Sequence, residues 1–402
     1  MNKNSYILPL YNRLEVGFLK GKKSVLYDED GKNYIDFASG VGVNSLGYAN
    51  KKIVKTIKKQ ASKIVHSSNI YQIKSQEKCA KRIVELSSYD MKCFFCNSGA
   101  EANESAIKLA RKYGNTKFKN PKYKIITIKN SFHGRTIATL KATAQEDKHK
   151  YFAPYPDGFV YANDINEAIN MIDDSTVAVM IELILGEGGI LMQDIHQVKE
   201  LEKVLKERKL LLIIDEVQTG VYRSGNFLLS QYFGIKPDIV TLAKGLASGI
   251  PIGVMISSLK DIFAFGDHGS TFGGNHLSTT VCNKVLNILE KYSNSGELSE
   301  NIKYFNSCLQ YIINKYPNIF LKKSGFGFMQ GLVLKDEMLL NDIINLALKN
   351  GVLVLKSGKN IIRFLPPIII NKSEITEGFQ RFDIKKINKT IEYYSLWFLK
   401  II

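Results

Sequence analysis

The run Leu210-Leu-Leu-Ile-Ile214, stopped by Asp215, constrains the fold more than any other stretch of this chain. An all-apolar strand is what a parallel sheet covered on both faces requires, and a carboxylate at its C-terminal end stands where open α/β sheets bind ligands. Similar runs are Val177 to Ile181 ending at Glu182, Ile239 to Leu242 ending near Lys244, and Lys124 to Ile128 leading into Ser131-Phe132-His133. Helical patterns alternate with these runs, which is the rhythm of βαβ units. The pattern predicts an α/β fold whose strand ends deliver polar groups to one rim.

With 402 residues, 45% of them apolar, the chain can bury a large core and more than one domain. Its five cysteines, Cys79, Cys93, Cys96, Cys282 and Cys308, are odd in number and thinly spread, which excludes a disulfide scaffold and points to a reducing cytoplasm. The first ten residues lack the apolar core of a signal peptide, and no stretch has the apolar length of a membrane span, so a cytoplasmic location is expected. The net charge of +17 comes from lysines scattered as solvated faces rather than gathered with aromatics. It favours small anionic ligands over nucleic acid.

From about residue 280 the texture changes. Residues 281–316 are helical in pattern, Leu332 to Leu334 and Val352 to Leu355 read as strands of a second sheet, and Pro366-Pro367 precedes a closing helical stretch. Near the start, Val25 to Asp28 and Tyr34 to Phe37 flank a turn at Glu29-Asp-Gly31 and read as a hairpin outside the main sheet.

Lys92 to Cys96 reads as a strand, Asn97-Ser-Gly-Ala100 as a tight turn, and Glu101 to Tyr113 as a helix. A glycine turn feeding a helix N-terminus offers free N–H groups and a positive dipole end, a cradle for phosphate, although the same pattern also serves as an ordinary N-cap. Cys93-x-x-Cys96 lies in the strand; zinc would need a second pair, so core packing is expected and no metal site. Lys244, past a strand and beside Gly245, has the setting of a lysine with a depressed pKa. Asp215 suits a pyridinium nitrogen, with a helix cap or ion pair as its alternative reading. Cradle, lysine and aspartate together are the parts needed to hold pyridoxal phosphate at three corners.

Around those parts the sequence resembles the class III, fold-type I pyridoxal-phosphate aminotransferases nearly end to end. The resemblance is carried by Asp36-Phe37 with Ser39-Gly40, His66-Ser-Ser-Asn-Ile-Tyr71, Asn97-Ser-Gly-Ala-Glu-Ala-Asn-Glu104, Phe132-His-Gly-Arg-Thr136, Gly186-Glu-Gly-Gly189, Asp215-Glu-Val-Gln-Thr-Gly220, Leu242-Ala-Lys-Gly245, Gly269-Ser-Thr-Phe-Gly-Gly-Asn275 and Arg363-Phe-Leu-Pro-Pro367. It implies a large cofactor-binding domain over residues 49–279 with a mostly parallel central sheet. It also implies a smaller α+β domain built from residues 1–48 and 280–402.

By the same resemblance, Lys244 bonds the cofactor and shuttles the substrate proton, and Asp215 keeps the pyridine nitrogen protonated. Ser98, Gly99 and Ala100 would bind the phosphate, Phe132 would stack on the ring, and Gln218, in the stretch Asp215-Glu216-Val217-Gln218, would bond the phenolic oxygen. Thr271, with Ser270, would reach the phosphate and substrate of a neighbouring subunit, which makes a homodimer the expected partner. Arg135 would hold the distal carboxylate of substrate, and Glu187 would mask Arg363 until glutamate needs it for its α-carboxylate.

The reaction so implied moves the ω-amino group of N2-acetylornithine to 2-oxoglutarate in arginine biosynthesis, with 4-aminobutyrate or succinyl-diaminopimelate as alternative donors. A non-catalytic regulatory or nucleic-acid-binding protein is the alternative of another class, opposed by the presence of both Lys244 and Asp215. Val41 disfavours free ornithine, since the ornithine enzymes carry tyrosine there. Leu183, Leu185, Tyr48 and His276 depart from the family pattern and are expected near the pocket approach.

Overall fold

Seven strands form the central sheet, in the spatial order Lys92–Cys96, Gly253–Ser257, Ile239–Leu242, Leu211–Asp215, Thr176–Ile181, Lys124–Ile128 and Phe159–Ala162. The computed structural model describes residues 6–385 apart from Asp383. Gly253–Ser257 runs antiparallel to both of its neighbours, while the other contacts in the sheet are parallel. The run that opened the argument lies in the middle of this sheet and is buried throughout. Its alternation explains the unbroken apolar pattern. Leu212 and Ile214 pack with Val198, Leu201 and Leu205 of the helix Ile195–Glu207, whereas Leu211 and Ile213 pack with Ala106, Ile107 and Ala110 of the helix Gly99–Lys117. Both faces are covered, so neither set can be polar.

The parallel strands all point their C-terminal ends at one rim, which receives Glu182, Asp215, Lys244 and the turn Ser131–His133. The antiparallel strand delivers its N-terminal residue, Gly253, to that same rim opposite Cys96. A Cβ on Gly253 would lie 2.1 Å from the Ser98 carbonyl oxygen, so only glycine lets the turn after Cys96 pack down on the sheet.

Outside this sheet, Phe18–Lys22, Val25–Asp28 and Asn33–Asp36 form the expected hairpin with one extra strand. The reading of Val352 to Leu355 as one strand is corrected. Val352–Leu353 pairs in parallel with Asn33–Asp36, and Leu355–Ser357 crosses to another sheet beside Ile361–Phe364. The apolar run is continuous because Val354, at the crossing, is also buried; periodicity sees one strand where two sheets share it. The helical stretch after residue 280 is two helices, His276–Asn294 and Glu297–Lys315, parted at Gly296 with φ 83°. The closing helix is Lys372–Arg381, and residues 1–5 and 386–402 of the expected terminal segments lie outside the described residues.

Candidate active site

A cavity of about 400 Å³ opens at the polar rim. Ser98, Gly99, Ala100, Phe132, Arg135, Asp215, Val217, Gln218 and Lys244 all line it, so the structure brings together most of the residues that the sequence singles out.

At one end stands the N-terminus of the helix Gly99–Lys117. Ser98 caps it, accepting from the Glu101 amide at 3.2 Å and donating to Glu101 Oε2 at 3.0 Å. Nineteen aligned peptide units direct a positive dipole end at the cavity, and the first amides of such a helix have no partner within it. Gly99 is required by packing. An added Cβ would sit 2.6 Å from Val217 Cγ1, and a valine side chain has no slack to give. Gly99→Ala is therefore expected to destabilise the protein by about 1–3 kcal/mol. Thermal unfolding would show the loss, and adding Val217→Ala should recover most of it.

Asp215 stands deeper and is buried. Its Oδ2 accepts from Asn103 Nδ2 at 2.7 Å and lies 2.8 Å from His133 Nδ1, while Oδ1 accepts from the Val217 amide at 3.0 Å. Asn103 is itself fixed, donating also to the His133 carbonyl at 2.7 Å and accepting from Thr241 Oγ1 at 2.6 Å. These bonds fix the orientation of a buried carboxylate. Asn103 and His133 lie inside the matched motifs, but nothing in their spacing announces that they meet at Asp215.

Lys244 begins the turn Lys244–Ala247 with φ 43° and keeps part of its surface open to the cavity. Burial first, then the positive charge of Arg363, lowers its pKa, against the pull of Glu187, Asp215 and Glu182. The N-terminal loop braces the turn from beneath: Ser45 Oγ donates to the Gly245 carbonyl at 2.7 Å, and the Leu46 amide donates to Ser248 Oγ at 3.0 Å.

Glu182, at the end of its strand, lines the cavity and accepts from the Phe132 amide at 2.8 Å and the Gly186 amide at 3.2 Å. Burial, reinforced by Asp215, pushes its carboxyl up from 4.5 to about 7, against the opposite influence of His133 and the two amides. Below about pH 4.5 the folded and unfolded chains both hold the proton, and above about 7 neither does. Between those limits the unfolded chain ionises first, so stability falls as pH rises. Relative to Glu182→Gln, the wild type should lose up to about 3 kcal/mol across that window and then level off, as melting temperatures measured from pH 4 to 8 would show.

Arg363, buried in the strand Ile361–Phe364, donates to Glu187 Oε1 at 2.6 Å, to the Gly186 carbonyl at 2.9 Å and to Gln218 Oε1 at 3.3 Å. Burial works to raise the Glu187 carboxyl, but Arg363, with Lys244 and Lys148 behind it, outweighs that and holds it below its usual value. The pair adjoins the cavity through Gln218. Arg135 is exposed at the mouth, its guanidinium 5.6 Å from the centre of the Phe132 ring.

Other expected residues lie elsewhere. Glu216 turns inward, where its carboxylate caps the helix Leu229–Phe233 through the amides of Leu229 at 2.7 Å and Ser230 at 2.8 Å. Thr271 is exposed and Ser270 half-buried, and neither lines the cavity of its own chain. The four departures do not line it either. Leu183 and Leu185 are core residues, Tyr48 donates to Asp36 Oδ2 at 2.5 Å, and His276 bonds Ser67 at 2.9 Å. Val41 packs against an apolar cluster, and Val43 is the residue of that loop that faces the cavity. Cys93 and Cys96, three apart on a strand, face opposite ways, and burial raises both thiols, that of Cys96 to about 12. Among the described residues no cluster of three or more His, Cys, Asp or Glu could hold a metal, and no helix is long and apolar enough to cross a membrane.

The sequence pattern of the family described as aminotransferase class-III matches residues 11–385. Over 377 residues the chain is 51% identical to the acetylornithine aminotransferase of Wolinella succinogenes, covering 94% of this chain and 96% of that one. It is 41% identical to the acetylornithine/succinyldiaminopimelate aminotransferase of Buchnera aphidicola, with 95% and 94% of the two chains covered. Among solved structures, an ornithine aminotransferase from Toxoplasma gondii with partial occupancy of pyridoxal phosphate superposes with a TM-score of 0.87 at 28% identity, covering 95% of this chain and 94% of its own.

Proposed function

This chain belongs to the class-III aminotransferase family, and on that premise we propose that it transfers the ω-amino group of N2-acetylornithine to 2-oxoglutarate, giving N-acetylglutamate 5-semialdehyde and glutamate, in arginine biosynthesis. The observation that carries the reading is the convergence of Lys244, Asp215 and the helix N-terminus at Gly99 on one cavity. The names of the relatives in Wolinella and Buchnera support the donor. The second name also supports succinyl-diaminopimelate as a further donor.

The residues present suit pyridoxal 5′-phosphate. The cradle at Ser98, Gly99 and Ala100 is glycine-dependent and dipole-backed, and Asp215 is a carboxylate held by Asn103 and the Val217 amide, with no lysine or arginine ion pair among the described residues. When bound, the cofactor supplies an aldehyde to bond the amino group and a ring to accept its electrons. The cradle would take the phosphate, Phe132 and Val217 the ring, Gln218 the phenolic oxygen, and Asp215 would hold a proton on the ring nitrogen. Burial and Arg363 lower the pKa of Lys244, the direction that favours an amine attacking a carbonyl and carrying a proton.

Two substrates of different shape share this cavity. Arg135 would bind the distal carboxylate of either. Arg363 stays masked by Glu187 while an ω-amine reacts and is released to grip the α-carboxylate of glutamate. Ser270 and Thr271, which do not line this cavity in their own chain, would serve that of a second copy, so the working unit is a homodimer in the cytoplasm. Glutamate formation from 2-oxoglutarate with N2-acetylornithine, 4-aminobutyrate, succinyl-diaminopimelate and ornithine tests the reading. Preference for 4-aminobutyrate would replace the proposed donor, and no turnover with any of them would favour a non-catalytic role.

A further inference from the structure

Lys148 has no part in the scheme above and lines a neighbouring hollow with Asn130 and Gln145, yet it stands against Phe132, which walls the site. It ends the short turn Glu146–Lys148, and its ammonium lies 5.7 Å from the centre of the Phe132 ring, which the Arg135 guanidinium approaches at 5.6 Å. The ammonium donates to Gln145 Oε1, and the Gln145 amide is pinned in turn, donating to the carbonyls of Asn130 at 3.2 Å and Ser131 at 3.0 Å. Lys148 is thus anchored to the turn that carries Phe132. Only one of its three N–H donors is spent on that anchor.

Two cations over one ring repel each other and need an anion. Burial, then Arg135, lowers the Lys148 pKa, and Glu187 and Asp147 oppose this. Glu187 is engaged by Arg363 at 2.6 Å, and Asp147 is exposed and pairs with Lys150 at 2.9 Å. The two carboxylates that act on Lys148 are thus each committed to another cation, at the edge of a cavity proposed to take acidic substrates.

We propose that Lys148 is a second carboxylate-binding cation at the edge of this cavity, acting beside Arg135 across the Phe132 ring to select substrates with a distal carboxylate. The inference rests on the aminotransferase reading but not on the identity of its amino donor. Lys148→Met should lower the affinity of the holoenzyme for glutarate, an unreactive dicarboxylate, by about tenfold in calorimetric titration. The preference for glutamate over 1-aminopentane in single-turnover rates should fall by a similar factor, and Lys148→Arg should restore most of both. Equal losses with glutamate and 1-aminopentane, or an unchanged affinity for glutarate, would overturn the proposal and leave Lys148 as a support for the Phe132 turn. Failure of the wild type to use N2-acetylornithine would overturn the donor and leave this test intact.

Discussion

Lys244→Ala abolishes turnover while the protein folds and melts as the parent does. The expected loss is about four decades or more, because one amine is asked both to bond the cofactor and to move the proton. The fold is spared because the turn is held from elsewhere. Ser45 fixes the Gly245 carbonyl and Ser248 receives the Leu46 amide, and neither bond involves the lysine side chain. Alanine inherits the left-handed φ of 43° without a new penalty. Steady-state transamination, with circular dichroism melting as the control, checks both halves of the claim. Appreciable turnover by the variant would remove Lys244 from its role.

Arg363→Ala divides the reaction. The glutamate half loses the partner of its α-carboxylate, which in a desolvated site costs about 2–5 kcal/mol, or roughly one and a half to four decades in rate. The N2-acetylornithine half is largely spared, since there the arginine is occupied by Glu187 at 2.6 Å. Arg135→Ala should damage both halves. Single-turnover rates with each donor separate the two variants, and equal damage to both halves in Arg363→Ala would reduce the Glu187–Arg363 pair to a structural ion pair.

The parts of this site that the sequence discloses are those whose chemistry is local. A carboxylate that ends five apolar residues has one rim to stand on, and a glycine turn between a strand and a helix lands on that rim too, so the places of Asp215 and Gly99 are legible. What holds them is not local. Asn103 comes from a helix, His133 from a loop and Thr241 from a strand, and their meeting at Asp215 depends on strand order, which no periodicity encodes. Glu216 shows the converse, since its place in a motif suggests the cavity while its carboxylate caps a helix. Tyr48, read as a departure near the pocket, instead bonds Asp36 in the N-terminal segment. Val352 to Leu355 was one strand by pattern and two by topology, because apolar alternation cannot say which sheet each residue joins.

The brace beneath Lys244 has a consequence for synthesis. Ser45 leaves the ribosome about 200 residues before Gly245, and Ile35 waits for Val352, which arrives still later. The strands of the central sheet can pair as they emerge, but the loop that steadies the lysine turn follows a strand whose partner, Val352–Leu353, is made about 100 residues after Lys244. A nascent chain therefore carries all the cofactor-binding groups from Ser98 to Lys244 before it has the clamp that aligns them. Full alignment therefore waits for the strand Val352–Leu353, so ribosome-bound intermediates that stop short of it would hold folded sheet without activity.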